Sequence, residues 1–262
     1  MILCLAQMAP RWNDTVSGLR QMRSMASDAV EGDASFIAFP EQILTGWNPK
    51  EVSGTEDEEG EQVSVMREIA RDLSIGILGS YRERQTPRPR NTCIAIGPDG
   101  KILARYSKIH LFSPGGEDQY YQPGDALGIF SCCSCTIGIA ICYDLRFAHL
   151  FQLYREQGVH LILVPSAWPA SRMKHFHLFT TSRAAEFQAY IASVNTVGVT
   201  PVETYNGGSC IAGSDGTVRA MGSDMEELIF CEIDPKEVER SRQAFPVYSD
   251  GKKTDYTDIK RK

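Results

Sequence analysis

The chain has 262 residues, 42% hydrophobic and 23% charged, with a formal net charge of −6. That length holds one large domain or two small ones and buries about 75% of the unfolded surface, so its core needs no disulfide staples. The acidic balance disfavours a nucleic-acid backbone as partner, no run of about 18 apolar residues suggests a membrane span, and MILCLAQMAP lacks the basic and long apolar regions of a signal peptide.

MILCLAQMAP reads instead as a first strand. Residues 13–30 follow as a helix capped by Asn13 or Asp14. ASFIAFP is a buried strand ending at Pro40. EEGEQVSVMREIARDL is an amphipathic helix, SIGILGSY a strand and RERQTPRPR a polar loop. NTCIAIG and KILARYS flank Pro98-Asp99-Gly100, a hairpin signal. Residues 108–128 form a long Gly/Pro loop. SCTIGIAIC reads as one strand, RFAHLFQLYREQG as a helix, HLILVPSAW as a strand, and residues 174–190 as a helix. IASVNTVGVT is the next strand. A second hairpin turns at Asp215-Gly216, then come the strand ELIFCEI and a Lys/Glu-rich tail.

No linker or composition shift divides the chain, so a single domain is expected over 1–262, its tail leaving the core from about residue 243. Helices alternate with strands apolar on both faces, and each half carries one hairpin. Two mixed sheets packed face to face with helices outside, a four-layer α-β-β-α sandwich, satisfy both observations.

Eight cysteines are present. Without an export signal they should be reduced thiols in the cytoplasm. The cluster SCCSC at 131–135 has no Cys-x-x-Cys spacing and no nearby His. Alternation along a strand also sends neighbouring thiols to opposite faces, so core or edge thiols are expected rather than a metal site.

Three residue types able to do chemistry stand where an apolar strand stops: Glu41 after IAFP, Lys108 after ILARYS, and Cys142 after GIAI. A helix start near Arg146 would favour a thiolate at Cys142. A buried structural cysteine is the competing reading, and the stretch alone leaves both open. None of the five His residues is placed to activate Cys142, so a Cys-His pair is the weaker alternative.

These segments, FPE, K-I-H-L-F and C-Y-D-L-R-F, occur in the order found in the carbon–nitrogen hydrolase (nitrilase) superfamily, which the chain resembles. With SAWPASRMKHFHLFTTSRAAEFQAYIASVNTVG, they look most like its omega-amidase branch. The resemblance implies the same sandwich and a Glu-Lys-Cys trio: Glu41 as base, Lys108 as oxyanion donor with the Tyr143 backbone N–H, and Cys142 as nucleophile forming a thioester. It also implies a second supporting Glu in the loop after Lys108. Glu117 fits, with Asp118 as the register alternative. The implied substrate is a small carboxamide bearing a distal carboxylate, such as a 2-oxo acid amide. Arg172 is the candidate to bind that carboxylate, with Tyr143 and Trp168 as walls. For Arg172, a helix-start or interface charge is the rival reading. No metal or organic cofactor is implied. Ser166-Ala167 before the Trp, where the family often has Asn, and Ala148, where it usually has Pro, are departures that leave the substrate open. Another amide or an N-carbamoyl compound, acyl transfer, nitrile hydrolysis and a non-catalytic binding protein stay as alternatives.

Phe176, Phe179, Arg183, Phe187 and Tyr190 recur at three- and four-residue steps, with Glu186 as the partner of Arg183. A charge in an apolar stripe suits a subunit interface, and the resemblance also implies pairing; a monomer whose helix packs inward with Arg183 reaching out to water is the competing reading. A homodimer or higher homo-oligomer with this helix in the contact is therefore expected.

Overall fold

The computed structural model describes residues 1–251. The first half holds β1 (Ile2–Gln7), α1 (Thr15–Glu31), β2 (Phe36–Ala38), α2 (Glu61–Leu73), β3 (Gly76–Glu83), β4 (Arg90–Ile96) and β5 (Ile102–Ser107). A one-turn helix, α3 (Glu117–Tyr120), interrupts the loop that follows. Then come β6 (Gly128–Cys132), β7 (Cys135–Ile139), α4 (Ala148–Glu156), β8 (Leu161–Ser166), α5 (Met173–Phe187) and β9 (Tyr190–Asn195). The short pair β10 (Val197–Val199) and β11 (Thr204–Asn206) precedes β12 (Cys210–Ala212), β13 (Val218–Met221), β14 (Glu227–Glu232), α6 (Pro235–Ala244) and α7 (Val247–Asp250).

Two six-stranded mixed sheets result, ordered β14-β1-β2-β3-β4-β5 and β13-β12-β9-β8-β7-β6. Each has a parallel centre, β1-β2-β3 in one and β7-β8-β9 in the other, flanked by antiparallel strands. Strand alternation divides the apolar residues. Leu3, Leu5, Phe36 and Ala38 pack with Ile137, Ile139 and Leu163 between the sheets. Cys4, Ala6, Ile37 and Ile77 pack under α1 and α2. Strands apolar on both faces are thus explained by helices outside and a second sheet inside. Asp14 is the cap of α1, its carboxylate accepting the Ser17 N–H at 3.0 Å.

Three expectations need correction. SCTIGIAIC is strand only from Cys135 to Ile139 (β7): Cys142 lies in a 3-10 turn, and Cys133 and Ser134, at φ of 49° and 65°, form the two-residue turn between β6 and β7. Such a turn requires two positive φ values, usually supplied by Asn-Gly, so this pair gave no hairpin signal. The helix expected to reach Tyr190 stops at Phe187, where Gln188 turns left-handed (φ 48°), and Tyr190 opens β9. The stripe expected to face another subunit is the side α5 turns to its own chain. Phe176 is fully buried, and Arg183 is held by Glu186 (2.8 Å) and by the carbonyls of Leu145 and Arg146 (3.2 Å each).

In the tail, Tyr248 of α7 donates to Glu156 at 2.9 Å, and Arg155 stacks 4.9 Å from its ring centre. Residues 252–262, the rest of the expected tail, lie outside the described residues. Among the described residues no helix is long and apolar enough to cross a membrane.

Candidate active site

The C-terminal ends of the parallel strands meet at one rim, the usual location of a ligand site in such sheets. Glu41 follows β2. The hydroxyl of Ser80, on β3, donates to Pro40 O and accepts from Gln42 N, clamping the turn on both sides of Glu41. Lys108 follows β5, and its N–H donates to Asn91 O at 2.9 Å, extending the β4–β5 ladder. The Lys108 carbonyl accepts the Gly124 N–H (2.9 Å), where a Cβ would run into the Ser107 carbonyl oxygen, so only glycine permits that approach.

Cys142 opens a tight 3-10 turn, Cys142–Arg146, after β7, in the left-handed region at φ 46°. A residue with a Cβ held there is strained by about 1–3 kcal/mol and persists only where its surroundings enforce it. Asp144 does much of the enforcing. This wholly buried carboxylate accepts from Ile141 N (2.9 Å), Tyr106 OH (2.8 Å) and His110 N (2.9 Å), and contacts His110 Nδ1 at 2.8 Å. Tyr106 and His110 flank Lys108 in sequence, so one carboxylate joins the Lys108 segment to the Cys142 turn.

The buried cluster is tightly drawn. Lys108 Nζ lies 2.8 Å from Glu41 Oε1 and 2.9 Å from Glu117 Oε2. Asn91 Nδ2 donates to Glu41 Oε1 at 2.7 Å and to Glu117 Oε1 at 3.0 Å. Glu41 Oε2 accepts the Ala167 N–H at 3.0 Å, and Glu117 Oε2 accepts the Phe112 N–H at 2.7 Å. Glu117 is fully buried, whereas Asp118, the alternative register, is exposed.

Burial pushes the Glu41 carboxyl above its ordinary value and the Glu117 charge adds to this, with Lys108 opposing. For Lys108, burial works against the charge, but Glu117 and Glu41 outweigh it and hold the ammonium well above its usual range. Burial and the Glu41 charge raise the Cys142 thiol, while Lys108 and the Ala167 N–H pull it down. The thiolate expected from a helix N-terminus is therefore not favoured at rest: the turn is five residues of 3-10 helix, and burial dominates. A carboxylate whose charge reaches the thiol, with a fixed cation beside it, is an arrangement able to take a thiol proton on demand.

A cavity of about 470 Å³ opens onto Cys142 and Lys108. Tyr143, Trp168 and Arg172 line it, as does Arg146. Glu41 and Glu117 lie behind this surface. Trp168 is fixed by Asn195 of β9, which accepts its N–H at 2.7 Å and donates to its carbonyl at 3.1 Å. The Arg146 guanidinium stacks 4.8 Å from Trp168 and 5.2 Å from Phe179, and that of Arg172 stacks 5.3 Å from Phe112. Burial lowers the Arg146 pKa, and the Arg172 charge adds to this. Neither arginine forms an ion pair with a carboxylate among the described residues; Glu203 lines the same cavity, and one of its oxygens accepts the Thr204 N–H at 3.3 Å. Asn91, Asp144, Arg146 and Asn195 escaped the sequence reading. Only Arg146 had a usable signal there, as a cation four residues past the thiol.

The carbon-nitrogen hydrolase family pattern matches residues 3–243. The chain belongs to the carbon-nitrogen hydrolase family, and it is an enzyme of that kind. It is 32% identical over 236 residues to the omega-amidase NIT2 of Homo sapiens, covering 86% of each chain. Against the omega-amidase NIT2 of Bos taurus, identity is 29% over 246 residues, covering 90% and 89%. Among solved structures it superposes on XC1258 from Xanthomonas campestris, a CN-hydrolase superfamily protein with an arsenic adduct in its active site. The TM-score there is 0.90 at 25% identity, covering 97% and 98% of the chains. An amidase from Nesterenkonia sp. shares the fold, with a TM-score of 0.84 at 23% identity over 95% and 96%.

Proposed function

We propose that the enzyme is an amidase that hydrolyses a small amide with a carboxylate at its far end, an omega-amide of a dicarboxylic or 2-oxo acid. Glu41 takes the Cys142 proton, and the sulfur attacks the amide carbon. Lys108 and the Tyr143 N–H stabilise the oxyanion. Glu41 returns its proton to the leaving nitrogen, ammonia departs and a thioester remains. Glu41 then deprotonates a water that attacks the thioester, releasing the acid and the thiol. Glu117 supports Lys108 and Glu41 from behind. No cofactor enters this sequence.

The observation that carries the substrate reading is the pair of guanidiniums, Arg146 and Arg172, in the Cys142 cavity, neither ion-paired to a carboxylate among the described residues. A distal carboxylate supplies the missing anion, and a planar fork accepts it bidentately. Tyr143 and Trp168 form the walls. The similarity to two proteins named omega-amidase supports the same reading.

The test is ammonia release from succinamate and from butyramide. The acid amide should be preferred, and Arg146→Met should raise its KM at least tenfold while changing butyramide turnover little. Equal use of both amides by the native enzyme overturns the carboxylate reading. Cys142→Ala should release no ammonia yet melt near the native temperature. Turnover in that variant overturns the thioester route.

We further propose that the chain works as one domain, in a reducing cytoplasm, and pairs as a homodimer through the outward side of α5, where Leu178 is 56% exposed.

A further inference from the structure

Asn91 is fully buried on β4, and its side-chain oxygen has no hydrogen-bond partner. Its amide nitrogen carries two hydrogens, one directed to Glu41 Oε1 (2.7 Å) and the other to Glu117 Oε1 (3.0 Å). Rotating the amide by half a turn would satisfy neither carboxylate and would set an oxygen against two anionic oxygens. The neighbours therefore fix its orientation, and the orphaned oxygen is the consequence.

The two oxygens of Glu41 are thereby made unequal. Oε1 accepts from both Lys108 Nζ (2.8 Å) and Asn91 Nδ2 (2.7 Å), so its two lone pairs are occupied. Oε2 accepts only the Ala167 N–H, at 3.0 Å, and keeps one lone pair free. Adjacent buried carboxylates also tend to trap a shared proton. The two N–H groups of Asn91 stand where that proton would sit.

We propose that Asn91 is a positioning residue that, with Lys108, keeps protons off Glu41 Oε1 and off the gap to Glu117, so that Oε2 is the oxygen that exchanges a proton with Cys142. This rests on the reading of Glu41 as the base. In the step, the S–H bond breaks and an Oε2–H bond forms. One negative charge moves from the carboxylate to sulfur. The summed charge of Glu41, Glu117, Lys108 and Cys142 stays at −1, so no charge is created in the buried site. The same Oε2–H later gives its proton to the departing nitrogen.

The groups whose charges bear on Glu41 are Lys108 after β5, Glu117 on α3, Cys142 after β7, Cys93 on β4 and Tyr205 on β11. Removing Asn91 takes away a donor that favours the charged carboxylate, so Glu41 must titrate higher. The experiment is kcat/KM against pH for succinamate hydrolysis by Asn91→Ala, with thermal unfolding run alongside. The acid limb should move up by about one pH unit. Activity should fall about tenfold at the foot of that limb and return to within a few-fold of native on the plateau. If Asn91→Ala does not fold, Asn91→Asp, of the same size, is measured instead. It should move the limb the same way and further, because it adds a third acid. An unmoved limb, with activity scaled equally at every pH, overturns the proposal. Glu41→Gln separates this idea from the one beneath it. If Glu41→Gln retains full turnover, Glu41 is not the base and both fall. If it is inactive while the Asn91 variant keeps the native limb, only the role of Asn91 falls.

Discussion

At the residue scale, Lys108 has the most to hold. Its ammonium is buried against two buried carboxylates, so removing it leaves anions with neither water nor a cation. Breaking a buried pair from one side costs about 3–5 kcal/mol. Lys108→Met should therefore lower the melting temperature by roughly 10 °C for a chain of this size. The loss should depend on pH in a defined direction. Glu41 already has a raised folded pKa, and without Lys108 it rises further. An acid whose folded pKa is raised favours the fold at low pH and works against it as pH climbs through that value. Thermal unfolding of the variant should show a smaller deficit at pH 5 than at pH 8, and a larger deficit at pH 5 would contradict the assignment. Glu41, Lys108 and Cys142 were legible in the sequence because each reactive side chain follows an apolar run that must end at a sheet rim. Asn91 was not: inside NTCIAIG it looks like any polar residue of a hairpin, and its meaning depends on two acids 50 and 26 positions away.

At the element scale, the five-residue turn at Cys142 holds a strained residue between two anchors. Asp144 draws in the start of the turn and the Lys108 segment, and Arg183 of α5 takes the carbonyls at its end. Asp144→Asn keeps the volume but replaces an acceptor with a donor, so one N–H or O–H is left unsatisfied, at about 1–3 kcal/mol. Lower thermal stability should accompany a kcat at least tenfold down with KM within a few-fold, because the thiol at the start of the turn is misplaced while Arg183 still holds the carbonyls of Leu145 and Arg146 at its end. A kcat equal to native would show that the turn holds itself. On α5, the aromatic spacing was legible but not its direction. Periodicity states that a face is apolar and leaves open whether its own sheet or another subunit covers it. Arg183 is answered inside the chain, so the proposed pairing is assigned to the outward side. Sedimentation at micromolar concentration should give at least twice 29.1 kDa, and Leu178→Asp should shift the protein toward monomer. A native monomer under those conditions would end the dimer proposal. The helix end at Gln188 and the turn at Cys133-Ser134 were missed for one reason: residues other than glycine or asparagine adopt positive φ there, enforced by their surroundings rather than by local preference.

At the scale of the whole molecule, the sandwich was legible because strands apolar on both faces and an Asp-Gly hairpin signal in each half leave few other architectures. The pairing of β1 with β14 was not, since no local pattern names a partner at the other end of the chain. That ladder runs from Ile2 opposite Glu232 to Gln7 opposite Glu227, and it bears on how the protein is made. On the ribosome, β1, β2 and β3 emerge early, yet one edge of β1 stays unpaired until some 220 further residues have been synthesised. Contacts of such sequence separation form slowly, and an open apolar edge invites other nascent chains. A chain released after residue 226 should therefore aggregate at birth rather than fold into a smaller enzyme, and the full chain should lean on chaperones that shield strand edges until translation ends.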